Sequence, residues 1–456
     1  MNSMFENAAE KPKYPVPQKI IDFANFFEDK GFSLYIVGGA VRDYLLGVPN
    51  TDYDFCTNAK PEEVMALFKK VIPTGIKHGT VTVLFKGESY EVTTFRCESN
   101  YTDGRHPDHV TYIKDLHEDL SRRDFTINAF AANCKDGTIT DDFCGLSDLS
   151  SHLVRAIGNP RERFKEDGLR LMRLARFCSK LGFDAEASTL EAATELSSLI
   201  SNVSQERIFD ELSKILMTPV PSVGLSILEK TGILSIILPE VAKCREIKQT
   251  KVNATDVLEH IYQCVNATAK AGYCFTVRLA ALLHDIGKPY AMIYNKFGIL
   301  RFPGHEDKGS KMSVDVLKRL KCSNQLIDDI SLLIREHTLN YSPTWSDGTV
   351  KRFIRRVGKD KLEMLFQLQW CDQIASTGET LKDQYADLMP RIEKLINDPM
   401  FLSELAVTGD DLNSIGIPKS KEMGEILNKL LEMVIDYPTL NQKEILLNQA
   451  TLIHLA

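Results

Sequence analysis

Near its N-terminus the chain has a short apolar run, Leu34–Val37, which leads directly into a pair of glycines and limits the local fold strongly. An apolar run of this length is typical of a buried strand, and Gly38 and Gly39 allow a tight turn in which the backbone approaches a ligand closely. Residues 40–46 then predict a short helix, which Gly47 would end. Because the free N–H groups at the start of a helix attract anions, the sequence predicts a strand–turn–helix unit that binds phosphate.

Two aspartates follow this unit at a spacing of two residues. If Asp52 and Asp54 lie in a strand, both carboxylates point to the same side. Carboxylates beside a phosphate-binding turn suit Mg²⁺ and a nucleotide, which narrows the chemistry to phosphoryl or nucleotidyl transfer. Two Mg²⁺ ions held there would activate the attacking hydroxyl and neutralise the leaving pyrophosphate, and Arg42 would contact phosphate oxygens.

Composition sets broad limits on the class of protein. The chain has 456 residues, a length that predicts two to four domains. Its formal net charge of −7 excludes a chain coated in basic residues, although local basic patches could still bind nucleic acid. The ten cysteines are scattered without a CxxC pair. This usage favours reduced thiols and a cytoplasmic protein over a disulfide framework. No apolar run approaches the length that spans a membrane.

The pattern of secondary structure changes along the chain. Strand and helix patterns alternate up to about residue 149, and apolar residues recur at helical spacing from about residue 161. Residues 81–85 and 90–95 flank a short polar turn and predict a hairpin. We therefore predict an α+β fold, in which an α/β head with a small mixed sheet precedes all-helical regions. The expected boundaries are 1–150 for the head, 151–240 for a neck, 241–380 for a body and 381–456 for a tail.

Further motifs follow the glycine pair and the two aspartates in order along the chain. They are Ser121-Arg-Arg-Asp-Phe-Thr-Ile-Asn128, Asp141-Asp-Phe-Cys-Gly145, Glu166-Asp-Gly-Leu-Arg170 and Glu206-Arg-Ile-Phe-Asp-Glu211. Over roughly residues 34–215, this ordered set resembles the class II (bacterial-type) branch of the tRNA nucleotidyltransferase and poly(A) polymerase superfamily. Asp142 stands where proline is common in the family's hinge motif, and Cys144 where glycine is common.

The resemblance implies roles for several of these residues. Arg123 and Asp124 would contact the ribose 2′-OH. Residues 96–108 predict a loop, which in the family helps to switch from CTP to ATP, and Asp103 and Arg105 would be its working residues. The nucleotide-binding residues that we predict are Gly38, Gly39, Arg42, Arg123, Asp124, Asn128, Asp167, Arg170, Arg173 and Arg176.

The choice of base can also be argued from geometry. Asp167 and Arg170 are three residues apart on a predicted helix and would share a face. The carboxylate accepts and the guanidinium donates, which fits the amino group and ring nitrogen of cytosine or adenine. Uracil and guanine present the reverse pattern, so such a pair would discriminate against UTP and GTP by roughly 10⁴-fold. Arg170, Arg173 and Arg176 form a basic stripe at a spacing of three residues. The stripe is either a solvated face, or Arg173 helps to position the base-selecting pair or the incoming phosphates.

A second set of residues predicts another metal site. Its members are His260, His284, Asp285, His305, His337 and Asp372. Imidazole and carboxylate ligands together suit a transition metal such as Mn, Ni, Co or Fe. The set resembles the HD superfamily of metal-dependent phosphohydrolases, which implies hydrolysis of a 2′,3′-cyclic phosphate or a terminal phosphate on RNA. An HD fold that is merely structural is the alternative.

The densest basic run, from Lys351 to Lys361, predicts a helix with cations on one side. Beside a tRNA, Arg352, Arg355, Arg356 and Lys359 would form a phosphate-binding face; otherwise they are a solvated surface.

Taken with the resemblance, the sequence predicts template-independent addition of CCA to tRNA from CTP and ATP, with neither DNA nor a membrane as partner. The alternatives are an A-adding enzyme or poly(A) polymerase, an HD phosphohydrolase whose head docks RNA, and an RNA-binding protein with an inactive head.

Overall fold

The structure, a computed structural model, describes residues 12–99, 109–249, 255–379 and 385–455. It divides into two units, Met1–Ala242 and Lys243–Ala456. The predicted loop residues Asp103 and Arg105 lie outside the described residues. Within the described ranges, no helix combines the length and the apolar character needed to cross a bilayer. All ten cysteines are free thiols, as predicted.

The first unit contains a seven-stranded sheet with the order β3-β4-β5-β2-β1-β8-β9 in its described part. Strands β2 and β5 run parallel, and the other neighbours run antiparallel, so the predicted mixed sheet is confirmed. The strands are β1 (Leu34–Val37), β2 (Asp54–Thr57), β3 (Val71–Gly75), β4 (Thr80–Phe85), β5 (Glu88–Thr94), β6 (Arg96–Ser99), β7 (His109–Tyr112), β8 (Ala131–Asn133), β9 (Ile139–Thr140), β10 (Leu153–Val154) and β11 (Asp184–Ala185).

The helices of this unit alternate with the strands along the chain, and from residue 187 to the end of the unit no further strand occurs among the described residues. They are α1 (Gln18–Glu28), α2 (Gly39–Leu45), α3 (Pro61–Leu67), α4 (Leu116–Ser121), α5 (Gly145–Ser150), α6 (Pro160–Glu166), α7 (Leu169–Leu181), α8 (Ala187–Glu195), α9 (Gln205–Leu216), α10 (Pro221–Lys230), α11 (Ile233–Ile237) and α12 (Pro239–Ala242). The α+β fold class is therefore confirmed.

The predicted strand–turn–helix unit is present as β1, the glycine pair and α2. Gly38 has φ +68°, and a Cβ there would lie 3.3 Å from Arg123 Nη1, so both conformation and space favour glycine. Gly47 follows α2 with φ +70°, which ends the helix as predicted. Val37, the last residue of β1, pairs with Asp54, the first residue of the neighbouring strand β2. This register places Asp54 beside the glycine turn.

The predicted hairpin and the predicted hinge motif both contain residues with positive φ. The hairpin of β4 and β5 is confirmed, and its turn residues Lys86 and Gly87 have φ 48° and 88°, as the twist of a two-residue hairpin requires. Cys144 has φ 59°, which explains why glycine is common at this hinge position. Asp141 stabilises the turn because its carboxylate accepts from the backbone N–H groups of Gly145 and Leu146 at 2.7 and 3.0 Å.

The second unit is mainly helical. Its elements are α13 (Val257–Lys270), α14 (Phe275–Leu283), α15 (Lys288–Ala291), β12 (Ile293–Tyr294), β13 (Leu300–Arg301), α16 (His305–Arg319), α17 (Asn324–Glu336), α18 (Asp347–Val357), α19 (Leu362–Thr377), α20 (Leu388–Leu395), α21 (Gly409–Ser414), α22 (Lys421–Asp436) and α23 (Lys443–Leu455). Apolar faces of α13, α14, α17 and α19 are buried, and they form the core around the second set of predicted ligands.

The basic run on α18 is not an open phosphate-binding face, so that prediction is wrong. Its cations are paired with carboxylates of the same unit, most of them on distant helices. The pairs are Lys351–Asp398 at 2.9 Å, Arg352–Glu432 at 2.7 Å, Arg352–Asp436 at 2.9 Å, Arg355–Glu432 at 2.8 Å, Arg356–Glu336 at 2.8 Å and Lys359–Glu404 at 3.4 Å. Neutralised in this way, the run joins α18 to α22 rather than attracting phosphate.

Candidate nucleotide and metal sites

A cavity of about 590 Å³ in the first unit collects the predicted nucleotide-binding residues. Its walls come from the glycine turn, the segment around α4, and helices α7 and α9. The predicted residues that line it are Gly38, Gly39, Arg42, Asp54, Arg123, Asp124, Asn128, Asp167, Arg170, Arg173 and Arg176. Asp52 is not among the residues that line this cavity.

Further basic residues that line the cavity were missed by the sequence analysis. They are His78, Arg96, Arg122, Lys180 and Arg207. Lys180 extends the stripe of α7 by one turn beyond Arg176, and that periodicity could have identified it. Arg207 lies within the last family motif. With three carboxylates among the lining residues, the cavity carries a clear excess of positive charge, which suits a triphosphate.

A chain of polar contacts connects the glycine turn to α7. Arg42 donates to Asp43 at 2.6 and 2.8 Å and to Asn128 Oδ1 at 2.5 Å. Asn128 donates to Asp124 Oδ1 at 3.0 Å, and Arg173 Nε donates to Asp124 Oδ2 at 2.7 Å. Since Arg42 is only 3% exposed, these contacts fix its guanidinium as part of the wall, and its predicted approach to phosphate is limited to the edge that faces the cavity.

The charge of Asp124 depends on this chain. Burial raises the pKa of Asp124, but Arg173, Asn128 and Arg170 outweigh burial and lower that pKa to about 2. The carboxylate is therefore ionised at neutral pH and holds Arg173 in position beside the cavity. In this geometry the Asp124 carboxylate accepts hydrogen bonds from Arg173 and Asn128. Its contact with a ribose hydroxyl stays a prediction.

Replacing Asp124 with asparagine should flatten the acid dependence of stability. The pKa of Asp124 in the folded state, about 2, lies below the ordinary value of 3.8, so its ionised form stabilises the fold above about pH 4. This stabilisation, roughly 2 kcal/mol, is lost as the pH falls toward 2. Urea unfolding at several pH values should show a difference between wild type and Asp124→Asn that shrinks on acidification. A difference independent of pH would contradict the assignment.

The predicted pair of Asp167 and Arg170 does not share a helix, and that part of the prediction is wrong. Helix α6 ends at Glu166, and Asp167 has an extended backbone with φ −147° before α7 begins at Leu169. The Asp167 carboxylate accepts from the Leu169 backbone N–H at 3.0 Å and forms a salt bridge of 2.8 Å with Arg207.

Arg170 has separate partners on its own side of the cavity. It donates to Glu166 at 2.5 Å and to the backbone oxygens of Arg163 and Arg122 at 3.0 and 2.8 Å. The Arg170 backbone N–H donates to the Asp167 carbonyl at 3.0 Å, but the two side chains have different partners, and each is held by other protein atoms beside the same cavity. A site that keeps an acceptor and a donor apart can bind the complementary edge of a base between them.

Asp52 and Asp54 do not both lie in a strand, contrary to the assumption that placed their carboxylates on the same side. Strand β2 begins at Asp54, so Asp52 precedes the strand, and its backbone N–H is held by Asn50 at 2.8 Å. Partial desolvation, Asp52 and Glu91 all raise the pKa of Asp54. Glu91 pairs with Asp54 in the parallel register of β2 and β5, and sequence spacing gave no sign of it. Two neighbouring carboxylates therefore add negative charge beside Asp54, which a divalent cation bound there would offset.

The second unit brings the other predicted metal ligands together. His260 Nε2 lies 2.9 Å from Asp372 Oδ1 and 3.3 Å from His284 Nε2. Two overlapping sets of ligand atoms each fall within 4.8 Å: His260, His284 and Asp372, and His284, Asp285 and His337. His305 completes the predicted group, with Nε2 at 3.4 Å from Asp285 Oδ1.

Backbone carbonyls orient three of these imidazoles. Nδ1 of His284, His305 and His337 lies 2.8, 2.8 and 2.6 Å from a carbonyl oxygen. A carbonyl only accepts, so Nδ1–H donates and the Nε2 lone pair points to the cluster, as in metal-binding histidines. Burial and His284 lower the pKa of His337 to about 3, which keeps that ring neutral. The donor set therefore fits a transition-metal ion.

Comparison with known proteins gives a consistent family. The family model for the poly A polymerase head domain matches residues 34–155, and that for a probable RNA and SrmB-binding site of polymerase A matches residues 182–244. A third model, described as a putative domain 2 of tRNA nucleotidyltransferase, matches residues 309–450.

Individual relatives extend this match to nearly the whole chain. The CCA-adding enzyme of Pediococcus pentosaceus is 36% identical over 425 residues, which cover 92% of this chain and 94% of that protein. The CCA-adding enzyme of Enterococcus faecalis is 34% identical, with 92% of each chain covered. The crystal structure of Bacillus stearothermophilus CCA-adding enzyme in complex with CTP aligns with a TM-score of 0.71 at 29% identity, covering 97% of this chain and 98% of that one.

These matches confirm the resemblance to the tRNA nucleotidyltransferase and poly(A) polymerase superfamily, whereas the HD assignment stays a prediction. From the match in sequence and in fold together, the chain is a nucleotidyltransferase and belongs to the family of CCA-adding enzymes.

Proposed function

We propose that the protein adds CCA to the 3′ end of tRNA, taking CTP and ATP without a nucleic-acid template. The observation that carries the proposal is the single cavity of about 590 Å³ in which Asp54, the basic stripe of α7 and the base-facing pair Asp167 and Arg170 meet. Relatives named CCA-adding enzymes cover the same length of chain, and one of them was solved with CTP. The predicted cytoplasmic location accords with tRNA as the substrate.

In this reaction the 3′-hydroxyl of tRNA attacks the α-phosphate of the nucleotide, and pyrophosphate leaves. Asp52 and Asp54, with Glu91 nearby, would hold Mg²⁺, which lowers the pKa of the hydroxyl and offsets the charge of the leaving group. Arg173 and Arg176 line the cavity and would supply the triphosphate with guanidinium donors that keep their charge at neutral pH. The glycine turn lets the backbone approach the phosphates where a Cβ would collide.

Base selection depends on the hydrogen-bonding groups of Asp167 and Arg170 that are not fully used by protein partners. Of the three guanidinium nitrogens of Arg170, Nε meets no acceptor within the described part of the chain, whereas Nη1 and Nη2 donate to protein oxygens. Asp167 is held by Arg207 and still offers lone pairs to an exocyclic amino group. CTP and ATP both present an amino donor beside a ring-nitrogen acceptor. UTP and GTP would leave the remaining Asp167 lone pairs and the Arg170 Nε–H without a partner, which costs far more than a poor fit.

The experiment that tests CCA addition is incorporation of each labelled nucleotide onto three tRNAs, which end before CCA, after C and after CC. We expect CTP on the first two substrates and ATP on the third, with no incorporation of UTP or GTP. Incorporation of ATP alone on every substrate would instead identify an A-adding enzyme or a poly(A) polymerase. No incorporation of any nucleotide would favour an RNA-binding protein with an inactive head.

We propose a second function for the histidine–aspartate cluster: hydrolysis of a 2′,3′-cyclic phosphate or a terminal phosphate on RNA. The supporting observation is a cavity of about 280 Å³ beside the cluster, lined in part by Asp285, His305, His337 and Asp372. A bound Mn, Ni, Co or Fe ion would activate water, and Asp285 and Asp372 would balance its charge. A buried cluster that serves only as a structural support would not need an open cavity.

Replacement of His284 with alanine tests this second function. The variant should lose hydrolysis of a tRNA ending in a 2′,3′-cyclic phosphate while nucleotide addition to a tRNA with a free 3′-hydroxyl continues. Both rates should be measured after each candidate metal is added to chelator-treated protein. Hydrolysis by His284→Ala at the wild-type rate, or none by the wild type with any metal, would contradict the proposal.

A further inference from the structure

An exposed aromatic hairpin, residues 290–302, lies beside the histidine–aspartate cluster. Its strands β12 and β13 pair so that Tyr294 is opposite Leu300. Between residues 290 and 299, six large apolar side chains are at least 41% exposed, and the values reach 68% for Tyr294 and 74% for Phe297. Apolar side chains this exposed and this closely grouped contribute little to folding stability and mark a binding surface.

The turn of the hairpin holds its aromatic ring in a defined place. The Asn295 side-chain oxygen accepts from the backbone N–H groups of Phe297 and Ile299, both at 2.9 Å. The backbone N–H of Asn295 donates to the Ile299 carbonyl at 2.9 Å. Because the turn is closed by these bonds, the Phe297 ring is presented to solvent without a large loss of conformational entropy on binding.

Positive charge accompanies the rings. Lys296 Nζ lies 5.0 Å from the Phe297 ring centre, and Arg301 lies on β13 at the rim of the cluster cavity. Within the described ranges, neither cation forms an ion pair with a carboxylate, in contrast to the basic run on α18. Aromatic rings interleaved with unneutralised cations are the composition that binds single-stranded nucleic acid, by stacking bases and attracting phosphates.

The hairpin is continuous with the cavity of the cluster. Leu300, Arg301 and Phe302 of the hairpin line that cavity together with Asp285, His305 and His337. Tyr294 and Leu300 are opposite residues in the ribbon, so their side chains stand on the same face. A nucleobase stacked on Tyr294 would therefore have its attached phosphate within reach of the cavity.

We propose that the hairpin binds the terminal nucleobase at the single-stranded 3′ end of an RNA, while the adjoining phosphate enters the cluster cavity. The proposal rests on the proposed hydrolytic function of the cluster and adds a surface that binds the terminal base of its RNA substrate. Tyr294 and Phe297 hold the base, and Lys296 and Arg301 attract the backbone.

Photocrosslinking of the full-length protein tests the docking directly. The probe is a short single-stranded RNA with a 3′-terminal 5-iodouridine 3′-phosphate, and mass spectrometry locates the crosslinked residues. We expect crosslinks at Tyr294 or Phe297. Crosslinks confined to residues of the first unit would overturn the docking proposal whether or not the cluster hydrolyses phosphate. Crosslinks at the hairpin without any hydrolysis would keep the docking and overturn only the hydrolytic function.

A kinetic comparison separates base binding from the chemistry. The double variant Tyr294→Ala/Phe297→Ala should raise the KM for the RNA phosphate by about tenfold, because stacking on each ring is lost. Its kcat/KM for p-nitrophenyl phosphate, which lacks a base and a sugar, should stay at the wild-type value. The matched control is Tyr437→Ala, which removes another exposed ring of the same unit, 66% exposed, and should change neither constant.

Two other outcomes count against the proposal. An equal loss on both substrates would mean that the rings only support the fold of the cluster. A double variant that sediments as a smaller species than wild type, without hairpin crosslinks in the wild type, would identify the hairpin as a contact between copies of this chain.

Discussion

Replacement of Asp54 with asparagine should lower the rate of nucleotide addition by about a thousandfold or more, because in the proposed mechanism this carboxylate would hold Mg²⁺, whose charge would stabilise the transition state by several kcal/mol. Asp54 lies at the start of β2 beside the glycine turn, and Asp52 and Glu91 already raise its pKa. Single-turnover incorporation of CTP onto tRNA at saturating Mg²⁺ measures the effect. Nucleotide binding should persist, since the basic walls of the cavity remain.

The matched control for this variant is Asp29→Asn, which removes an exposed carboxylate of the same unit outside the cavity. It should add nucleotides at the wild-type rate. Hydrolysis by the cluster of the second unit should continue in Asp54→Asn, since no residue of that cluster is altered. Full nucleotide addition by Asp54→Asn would show that the metal ligands lie elsewhere.

Replacement of Asp167 with alanine should relax the choice of base. In the proposed mechanism, UTP offers no complementary groups to the Asp167 acceptor and the Arg170 donor, and rejection of this kind amounts to roughly 10⁴-fold. Without the carboxylate, the ratio of kcat/KM for CTP to that for UTP should fall by about a hundredfold or more. The measurement is single-nucleotide addition to a tRNA that ends before CCA, with each nucleotide in turn.

Two further variants test whether the effect of Asp167→Ala on base selection is specific to that carboxylate. Arg207→Ala removes the salt bridge of 2.8 Å that orients Asp167, so it should relax the base choice less than Asp167→Ala does. Asp210→Ala removes an exposed carboxylate on the same helix as Arg207, 60% exposed, and should leave the CTP to UTP ratio unchanged. A ratio that is unchanged in Asp167→Ala would assign base selection to other residues.

Local sequence patterns predicted the parts of the structure that local forces determine. The apolar strand, the positive-φ glycines 38 and 47, and the β4–β5 hairpin depend on neighbours within a few residues, and each is present. The order of histidines and aspartates in the second unit also identified a group that folding brings together. That success came from the combination of residue types, since their spacing alone does not determine where the helices pack.

The errors have a common physical origin in long-range contacts. Helical periodicity extended through Asp167 because it does not detect that the chain leaves the helix before Gly168. The basic run on α18 looked like an open face because Glu432 and Asp436, which neutralise Arg352, lie about eighty residues further along the chain. Glu91 was missed because its place beside Asp54 follows from strand register rather than from spacing.

The polar chain from Asp43 to Arg173 has a consequence for how the protein is made. The cavity draws its walls from the glycine turn near the start of the chain and from Arg173 and Arg207 much later. A nascent chain that has emerged only to residue 150 contains the seven strands of the sheet, yet Asp124 still lacks its arginine. Because Asp124 is paired with Arg173 and Asp167 with Arg207, we expect the nucleotide site to be completed only after residue 207 has left the ribosome, and chains that end before it to add no nucleotides.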